Sequence, residues 1–389
     1  MPRPLEGIRV LDLGISTAGP YCARFLADLG AEVLKIEPLD GENARKLGLR
    51  YGGTGYLYHV NNYNKKSVSL QVQTVKGREI FLELVAKSSV VVENFAIGTM
   101  TKWGIGYEAC RDVNPSIIYC SAKGFGESGP LKHKRAFDTV TQAISGIMHL
   151  TGEPGEQPLK GGPSICDLTT AAVSAMAVMS AVVQRREGES QFLDTALFDM
   201  GAWSLLWLWP LVRQTLGKPL GQIGNRHPLH CPYGDFATRD GRLFVTVTRQ
   251  EEWGKLGALL ALPESWSAAQ RKQHEGEIEA ALVYRLREWT AEEAAETLQK
   301  IGVPAAPVLD IAQVAAHELI QYRRMVVRHH HPVYGEVPLI QSPLAASGGE
   351  KNSLRRLQPT LGENSDEIIG GLLGRAAELE ALRRDQVIG

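Results

Sequence analysis

Apolar and polar positions along the first part of the chain follow the order expected for strands that are joined through helices. Residues 8–13 form a short apolar run that ends at Gly14, and residues 18–29 place apolar side chains at helical spacing. An extended pattern resumes over residues 32–36. Because strand, turn, helix and strand in this order build parallel sheets covered by helices, the pattern predicts a doubly wound α/β fold.

The same alternation of extended and helical patterns continues through the first half of the chain. A helix is predicted over 75–87, strands over 89–93 and 117–121, and long helices over 137–149 and 168–185. This continuation favours one large α/β domain.

A different pattern begins near residue 225. Two alternating segments, 233–238 and 242–248, flank Asp240-Gly241, a residue pair typical of hairpin turns, and helical patterns follow. We therefore predict a second, smaller α+β domain. The predicted organisation is a large domain of residues 1–200 completed by residues 330–389, a small domain of residues 225–325, and linkers at 201–224 and 326–335.

Composition and charge narrow the class of protein. With 44% hydrophobic and 22% charged residues over 389 positions, the chain has enough apolar side chains to bury a core. Lys and Arg number 42 and Asp and Glu 43, so the net charge of −1 lacks the broad attraction used by proteins that bind nucleic acids or anionic membranes. We therefore expect neither nucleic acid nor membrane as a partner.

The cysteines and the most apolar segments indicate in which cellular compartment the protein works. The five cysteines are scattered and include no Cys-x-x-Cys pair, so neither a disulfide framework nor a zinc ribbon is indicated. The two most apolar windows, 171–183 and 200–212, are shorter than the roughly 20 residues of a membrane-spanning helix. The N-terminal residues lack the apolar stretch of a signal peptide, and we expect a cytoplasmic protein.

The first glycine turn imitates a dinucleotide site only superficially. Residues 14–20 do not spell G-x-G-x-x-G, and Pro20 removes one backbone amide that would face a pyrophosphate. The chain also lacks the G-x-x-x-x-G-K-[ST] sequence of nucleoside triphosphatases. We interpret the turn as a helix start inside the α/β fold.

Three consecutive histidines, His329, His330 and His331, suggest a metal at first sight. Adjacent residues of an extended segment point to opposite faces, and no cysteine or carboxylate cluster nearby in sequence completes a ligand shell. We expect a solvent-facing strand end and no metal site.

Asp167 stands at the head of an apolar helical segment, after Gly161-Gly162-Pro163. Unpaired backbone amides and the helix dipole stabilise a carboxylate there, and carboxylates are established nucleophiles in covalent catalysis. Aspartate is also a preferred N-cap residue. The residues alone leave two interpretations of Asp167 open, a helix cap and a nucleophile.

Many short stretches along the chain are shared, in the same order, with one known family. They include residues 4–13, 18–20, 29–38 (LGAEVLKIEP), 62–70, 92–95, 124–130, 152–154, 224–228, 302–308 and 359–363. Together they make the chain similar to the family III coenzyme A transferases, also called the CaiB/BaiF or formyl-CoA transferase-like family. The resemblance covers essentially the whole chain, and its specificity comes from the number of collinear stretches.

This resemblance implies a fold, an assembly and a reaction. The implied fold is a Rossmann-like large domain built from both chain ends, with a smaller α+β domain, and two copies interlock as a homodimer. Asp167 is the implied nucleophile: it attacks an acyl-CoA thioester to give an aspartyl-acyl anhydride and then an aspartyl-CoA thioester. Acyl-CoA and a small carboxylic acid are the implied partners, CoA is a substrate, and no tightly bound cofactor is implied.

The resemblance also implies site residues. The implied CoA-binding residues are Asn94, Phe95, Lys102, Arg135 and Arg45, and the implied substrate pocket contains Thr17, Phe137 and Asp138. Lys66 is a further cationic candidate for the phosphates of CoA. Thr17 stands where formyl-CoA-type members carry glutamine, which counts against formate and oxalate as substrates.

Two alternatives follow from the same resemblance. Related racemases exchange the α-proton of 2-methylacyl-CoA thioesters with a His-Asp pair, and here Phe137 occupies the place of the histidine. A phenyl ring neither donates nor accepts a proton, so a two-base racemase would lack one of its partners. In the second alternative, the chain is the nucleophile-bearing subunit of a hetero-oligomeric CoA transferase.

Overall fold

The computed structural model describes residues 3–205, 221–344 and 354–389 of the chain, which separates into two compact units. The first unit consists of Met1–Ile147, Lys160–Leu208 and Glu318–Gly389, and the second of Met148–Leu159 and Trp209–His317. Most of the predicted linker 201–224 lies outside the described residues.

A central parallel sheet organises the first unit. Its strands and those of a small hairpin are β1 (Arg9–Asp12), β2 (Glu32–Glu37), β3 (Arg50–Tyr51), β4 (Thr54–Gly55), β5 (Lys65–Ser69), β6 (Val90–Glu93), β7 (Ile118–Lys123) and β8 (Gln191–Ala196). Six of them pair in the order β5-β2-β1-β6-β7-β8, and every neighbouring pair is parallel. The predicted α/β class with a parallel sheet is confirmed.

Helices cover both faces of this sheet. Up to residue 205 they are α1 (Ala18–Asp28), α2 (Tyr56–Asn62), α3 (Val75–Ala86), α4 (Thr99–Lys102), α5 (Tyr107–Val113), α6 (Asp138–Ser145), α7 (Ile147–Leu150), α8 (Ile165–Gln184) and α9 (Leu197–Trp203), with a 3₁₀ turn at Asn43–Arg45. Val10 and Val90 belong to the core formed with α1 and α8, whereas Leu11 and Val91 belong to the core formed with α3 and α5. Successive residues of a strand face opposite sides, so strands buried on both faces have continuous apolar sequences.

Two predicted helices differ from the observed ones. The helix expected over 137–149 is divided into α6 and α7, because Gly146 adopts a left-handed conformation with φ of +98°. Helix α8 exceeds its apolar window: it has 20 residues and is apolar enough to cross a membrane by length and composition. Ala171, Ala175 and Val178 on one side of α8 are buried in the core that it shares with α1, so α8 is a core helix of the first unit.

The second unit is built on an antiparallel sheet that packs against helices. Its strands are β9 (Tyr233–Ala237), β10 (Arg242–Thr246) and β11 (Ala305–Pro307), and its helices are α10 (Gln250–Leu260), α11 (Ala268–Gln273), α12 (Glu275–Leu286), α13 (Ala291–Lys300) and α14 (Ile311–Ala316). The predicted hairpin around Asp240-Gly241 joins β9 to β10, and β11 pairs with the other edge of β10. Trp253, Leu282 and Leu298 are fully buried in the core of this unit.

The C-terminal segment returns to the first unit. Its elements are α15 (Glu318–Tyr322), β12 (Val326–His331), β13 (Gly335–Ile340), a π-helical segment (Asp366–Leu372), a 3₁₀ turn (Ala376–Glu378) and α16 (Leu379–Arg384). Residues 326–335, predicted as a linker, instead supply β12, which pairs antiparallel with β13 and buries the side chain of His331. The side-chain oxygen of Asn364 accepts a hydrogen bond from the backbone amide of Ser67 at 3.1 Å, which ties the tail to β5.

Candidate active site

Asp167 is the third residue of α8 and lies in its first turn. The N-cap position belongs to Ser164, whose side chain makes no capping hydrogen bond. A carboxylate from another helix takes that role: Asp138 Oδ1 accepts hydrogen bonds from the backbone N–H groups of Cys166 and Asp167, at 2.8 and 3.2 Å. The interpretation of Asp167 as the helix cap is therefore wrong, because Asp138 already occupies the amides at this helix end.

The carboxyl group of Asp167 is half-buried and has no hydrogen-bond partner among the described residues. Burial raises the pKa of Asp167 to about 6, and the negative charge of Asp138 adds to the rise. At neutral pH the group is ionised, and no residue in the described part of the chain donates a hydrogen bond to it. Such a carboxylate is available as a nucleophile.

A cavity of about 320 Å³ reaches Phe137, the residue before Asp138. Four of the predicted site residues line this cavity together: Asn94, Phe95, Arg135 and Phe137. Asp167 is not part of its wall. The connection between them is Asp138, which follows Phe137 in sequence and bonds to the backbone of Asp167. We call this space the first cavity.

Basic residues line one wall of the first cavity. Lys132, His133, Lys134 and Arg135 follow one another along its wall, and all four are exposed. Lys132, Lys134 and Arg135 form no ion pair within the part of the chain that the structure describes. Arginine and lysine are the usual partners of phosphate and carboxylate groups. Arg135 was the predicted residue of this group, and the run of consecutive basic residues was a usable signal for the others.

Asn94 lines the first cavity, but its amide is engaged with the backbone. Its Oδ1 accepts a hydrogen bond from the N–H of Ile15 at 2.7 Å, and its Nδ2 donates to the carbonyl of Ile15 at 2.9 Å. The side chain thus holds the loop between β1 and α1 against the end of β6. Glycine suits position 19, because a Cβ there would lie 3.1 Å from the Asn94 side chain. Asn94 shapes the cavity wall and has both ends of its amide bonded.

Phe95 separates the first cavity from a second one. It lines both, and its ring packs edge-on against Trp103, with the ring centroids 5.0 Å apart. The second cavity has a volume of about 230 Å³ and lies beyond the carboxyl ends of β1, β2 and β5. Pro38, Leu70 and Val72 add apolar surface beside Trp103. This wall suits a flat, largely apolar group.

Arg45 does not have the role that the resemblance implied. Its guanidinium donates two hydrogen bonds to the carboxylate of Glu37, at 2.7 and 2.8 Å, and lies 3.7 Å from the ring centroid of Tyr58. Lys66 is also occupied, by Glu32 at 2.8 Å and Glu367 at 2.6 Å. Neither cation is available for a phosphate, because each already has carboxylate partners.

The remaining predicted residues are spread around the site. Lys102 is exposed at the end of α4, and Thr17 precedes α1; neither lines the two described cavities. Phe137 is 74% exposed and does line the first cavity. Asp138, expected in the substrate pocket, is instead buried at 6% exposure, because its carboxylate is bonded to the start of α8.

A buried charge network, which sequence analysis missed, supports the loop beside Ile15. Asp12 accepts hydrogen bonds from the Gly14 amide at 2.8 Å and from Lys65 at 2.7 Å. Lys35 lies 3.7 Å from Asp12. Burial opposes the charge of Asp12, but the two lysines outweigh it and lower the pKa of Asp12. The signal available in the sequence was the presence of lysines inside both β2 (EVLKIE) and β5 (KKSVS), which are strands of the central sheet.

The histidine triplet is not uniformly solvent-facing. His331 is 4% exposed, its ring stacks on Tyr334 with centroids 4.4 Å apart, and its Nε2 lies 3.1 Å from the carbonyl oxygen of Gln358. The expectation of a solvent-facing end is therefore wrong for His331, which belongs to the packed side of β12. Across residues 3–205, 221–344 and 354–389, no group of three or more His, Cys, Asp or Glu side chains is arranged to hold a metal ion.

Comparison with known proteins gives one family. The sequence model of CoA-transferase family III matches residues 5–365. The chain is 31% identical over 398 residues to the succinate–glutarate CoA-transferase of Agrobacterium fabrum, covering 98% of this chain and 97% of that protein. It is 32% identical over 398 residues to the succinyl-CoA–D-citramalate CoA-transferase of Chloroflexus aurantiacus, covering 100% of this chain and 98% of that protein.

A solved structure has the same fold. The crystal structure of a CaiB/BaiF family protein from Brucella suis superimposes with a TM-score of 0.84 and 32% sequence identity. The match covers 96% of this chain and 100% of that chain. Both the sequence and the structure comparisons therefore span nearly the full length of the chain.

Proposed function

Because this chain belongs to CoA-transferase family III and is a CoA-transferase, we propose that it passes CoA from an acyl-CoA donor to a carboxylic acid through covalent intermediates on Asp167. The observation that carries the proposal is the half-buried Asp167 carboxylate, which has no donor among the described residues. Such a group is chemically similar to the acceptor acid. It can therefore hold an acyl group and then CoA in successive steps.

The first half of the proposed reaction loads CoA onto the enzyme. An oxygen of Asp167 attacks the thioester carbon, a C–O bond forms, the C–S bond breaks, and CoA leaves as the thiolate with the electron pair. The product is an aspartyl-acyl anhydride. The thiolate then attacks the aspartyl carbon of this anhydride, giving an aspartyl-CoA thioester and releasing the donor acid as a carboxylate.

The second half repeats these steps with the acceptor. An acceptor carboxylate attacks the aspartyl thioester carbon and expels the CoA thiolate, which leaves a new anhydride. The thiolate attacks the acceptor side of that anhydride, forming the new acyl-CoA and restoring the Asp167 carboxylate. Atoms and electrons balance without an oxidant, a reductant or water.

We assign the two adjoining cavities to CoA. The aromatic surface of Phe95 and Trp103 in the second cavity suits the adenine ring, because bases stack on aromatic side chains. Lys132 and Arg135, which form no ion pair within the described part of the chain, support the phosphates. Lys102, next to Trp103 in sequence, is a further phosphate partner at the surface. Phe137 then flanks the arm that carries the thioester toward Asp167.

For the acids we propose dicarboxylates. The relatives are named for succinate and glutarate and for succinyl-CoA and D-citramalate. Succinate, glutarate and D-citramalate carry two carboxyl groups, and succinyl-CoA keeps one free carboxyl group beside its thioester. One carboxyl group reacts, and the second needs a cation. Lys134, which lines the first cavity and forms no ion pair among the described residues, supports such a pairing.

The proposed assembly is a homodimer of interlocked copies in the cytoplasm. Apolar side chains of α8 that stay exposed in the single chain support a partner surface, with Met176 at 62% and Val183 at 87% exposure. The five cysteines are all free, which suits a reducing compartment. Light scattering should give the mass of two chains, and a fully active monomer would contradict this assembly.

Mass spectrometry tests the covalent proposal. The protein is mixed with succinyl-CoA, digested and searched for an acyl or CoA adduct on the peptide containing Asp167. The adduct should be absent in Asp167→Asn and present in Asp310→Asn, a matched change at a helix cap of the second unit. An adduct on a different residue, or undiminished turnover by Asp167→Asn, would overturn the mechanism.

A further inference from the structure

The amino end of α8 is held by a residue outside its own sequence. The Asp138 carboxylate, at the start of α6, accepts hydrogen bonds from the N–H groups of Cys166 and Asp167. Both amides belong to the first turn of α8, where backbone donors have no partner inside the helix. Asp138 is buried, so this contact is shielded from water.

The Asp138 carboxylate is itself fixed from the other side. Gln142 Nε2 donates to Asp138 Oδ2 at 2.6 Å, one turn further along α6. The Oε1 of Gln142 accepts a hydrogen bond from the backbone N–H of Gly161 at 2.8 Å. One chain of hydrogen bonds therefore joins α6, the glycine-containing segment before α8 and the backbone of the nucleophile.

We propose that Asp138 is a positioning residue for the nucleophile: its carboxylate fixes the first turn of α8 and places a negative charge beside the carboxylate of Asp167. This inference rests on the proposed function of Asp167. It assigns Asp138 no contact with substrate, in contrast to the substrate-pocket role that the resemblance implied. The backbone contact orients Asp167, and the charge keeps it basic.

The other titratable groups near α8 must be weighed against Asp138. The elements packed against α8 are α1, α6, α9, β7 and β8. Their titratable side chains other than Asp138 are Tyr21, Cys22, Arg24 and Asp28 on α1, Asp199 on α9, Tyr119, Cys120 and Lys123 on β7, and Asp194 on β8.

Three of these groups have ion-pair partners, and none of the nine is among the causes that raise the pKa of Asp167. Arg24 pairs with Asp28, and Lys123 pairs with Glu93. Burial and then the charge of Asp138 are the causes that raise the pKa of Asp167. The charge effect of Asp138 on the nucleophile can therefore be tested apart from the others.

Two substitutions separate the two contributions of Asp138. Asp138→Asn keeps an oxygen that accepts from the α8 amides but removes the charge and, because an amide nitrogen cannot accept, the hydrogen bond from Gln142 Nε2. Asp138→Ala removes both. A residue with only a structural role would lower stability in either variant and leave the pH profile of the reaction unchanged.

The deciding measurement is kcat/KM for CoA transfer from succinyl-CoA as a function of pH, with the full-length protein. In the wild type the rate should fall as the pH drops below about 6, because Asp167 becomes protonated. In Asp138→Asn this acid limb should move down by about one pH unit, because the neighbouring charge is gone. In Asp138→Ala the plateau of kcat should fall at least roughly tenfold, because the nucleophile is no longer held in place.

The controls separate failure of this inference from failure of the proposed function. Asp310→Asn should leave the acid limb in place, because its carboxylate caps α14 in the second unit. If Asp167→Asn is inactive and the Asp167 adduct forms, but the acid limb of Asp138→Asn coincides with the wild type, the inference on Asp138 is overturned alone. If Asp138→Asn does not fold, Gln142→Leu replaces it. This variant keeps the charges of Asp138 and Asp167 but removes the hydrogen bond from Gln142 that holds Asp138, so kcat should fall while the acid limb stays at the same pH. An unchanged kcat would overturn the inference.

Discussion

Charged side chains at two places along the carboxyl edge of one sheet behave in opposite ways. Beyond β2, Arg45 is buried and bonded twice to Glu37. Beyond β7, Arg135 is exposed without an ion-pair partner among the described residues, and Asp167 is half-buried without a hydrogen-bond partner there. Charges that the protein satisfies internally hold its own fold together. Charges that it leaves unsatisfied are available to a ligand or a reaction.

The comparison explains why residue type alone misassigned Arg45. Arg45 and Arg135 were both expected to bind CoA, and in the sequence nothing distinguishes the two guanidinium groups. The structure separates them by their neighbours: Glu37 lies within bonding distance of Arg45, while Arg135 faces the first cavity. Paired charges should therefore contribute stability, and charges without a partner should contribute activity.

The largest effect should come from removing the unpaired carboxylate. Asp167→Asn should lower kcat by roughly 10³-fold or more, because an uncharged amide does not attack the thioester as a carboxylate does. CoA should still bind, since Asp167 lies outside the walls of both cavities. Chromatography of acyl-CoA products measures the first quantity and calorimetry with CoA the second. Retained turnover would contradict the conclusion that a charge without a partner serves the reaction.

Removing one member of the buried Arg45–Glu37 pair should lower the stability of the fold. Arg45→Met leaves Glu37 as a buried, unpaired carboxylate and should lower the free energy of unfolding by about 3–5 kcal/mol. Adding Glu37→Met should restore much of that loss, because the orphaned charge is removed. Denaturation with guanidinium chloride measures both variants. If Arg45→Met instead had the stability of the wild type and a raised KM for acyl-CoA, Arg45 would be a CoA-binding residue.

A smaller effect concerns the stability cost of the nucleophile itself. The pKa of Asp167 is about 6 in the folded protein and about 4 in the unfolded chain, so the folded state holds the proton of this group more tightly. The stability that this proton contributes is complete below about pH 4 and is lost as the pH rises through about 6. Asp167→Asn should therefore be more stable than the wild type by about 1–2 kcal/mol at neutral pH, with the difference vanishing near pH 4. Urea denaturation at the two pH values measures it. An equal difference at both would contradict the raised pKa.

The smallest effect is expected for one unpaired cation. Arg135→Ala should raise KM for succinyl-CoA by roughly fivefold, since an exposed charge is screened by solvent. Its free energy of unfolding should stay within about 0.5 kcal/mol of the wild type. Arg186→Ala, an exposed arginine just after α8, is the matched control and should leave KM unchanged. A KM effect that does not weaken with added salt would argue against a phosphate contact.

The sequence pattern predicts regular elements well where apolar spacing is continuous. Residues 8–36 were assigned as strand, helix and strand, as observed in β1, α1 and β2. The pattern did not predict β8, an edge strand whose first four side chains alternate between partly buried and exposed. No continuous apolar run marks this strand in the sequence. The helix expected over 137–149 was too long because a single glycine, Gly146, ends α6.

Local spacing and collinear motifs were enough to predict the α/β class, the family and the candidate nucleophile. Two contacts became visible only in the folded chain: Asp138, 29 residues before Asp167, binds the backbone of Asp167, and Glu37 pairs with Arg45. Whether a charge is paired depends on groups that folding brings together from distant positions. Pairing and burial, rather than residue type, set which charges of this chain are available to a substrate.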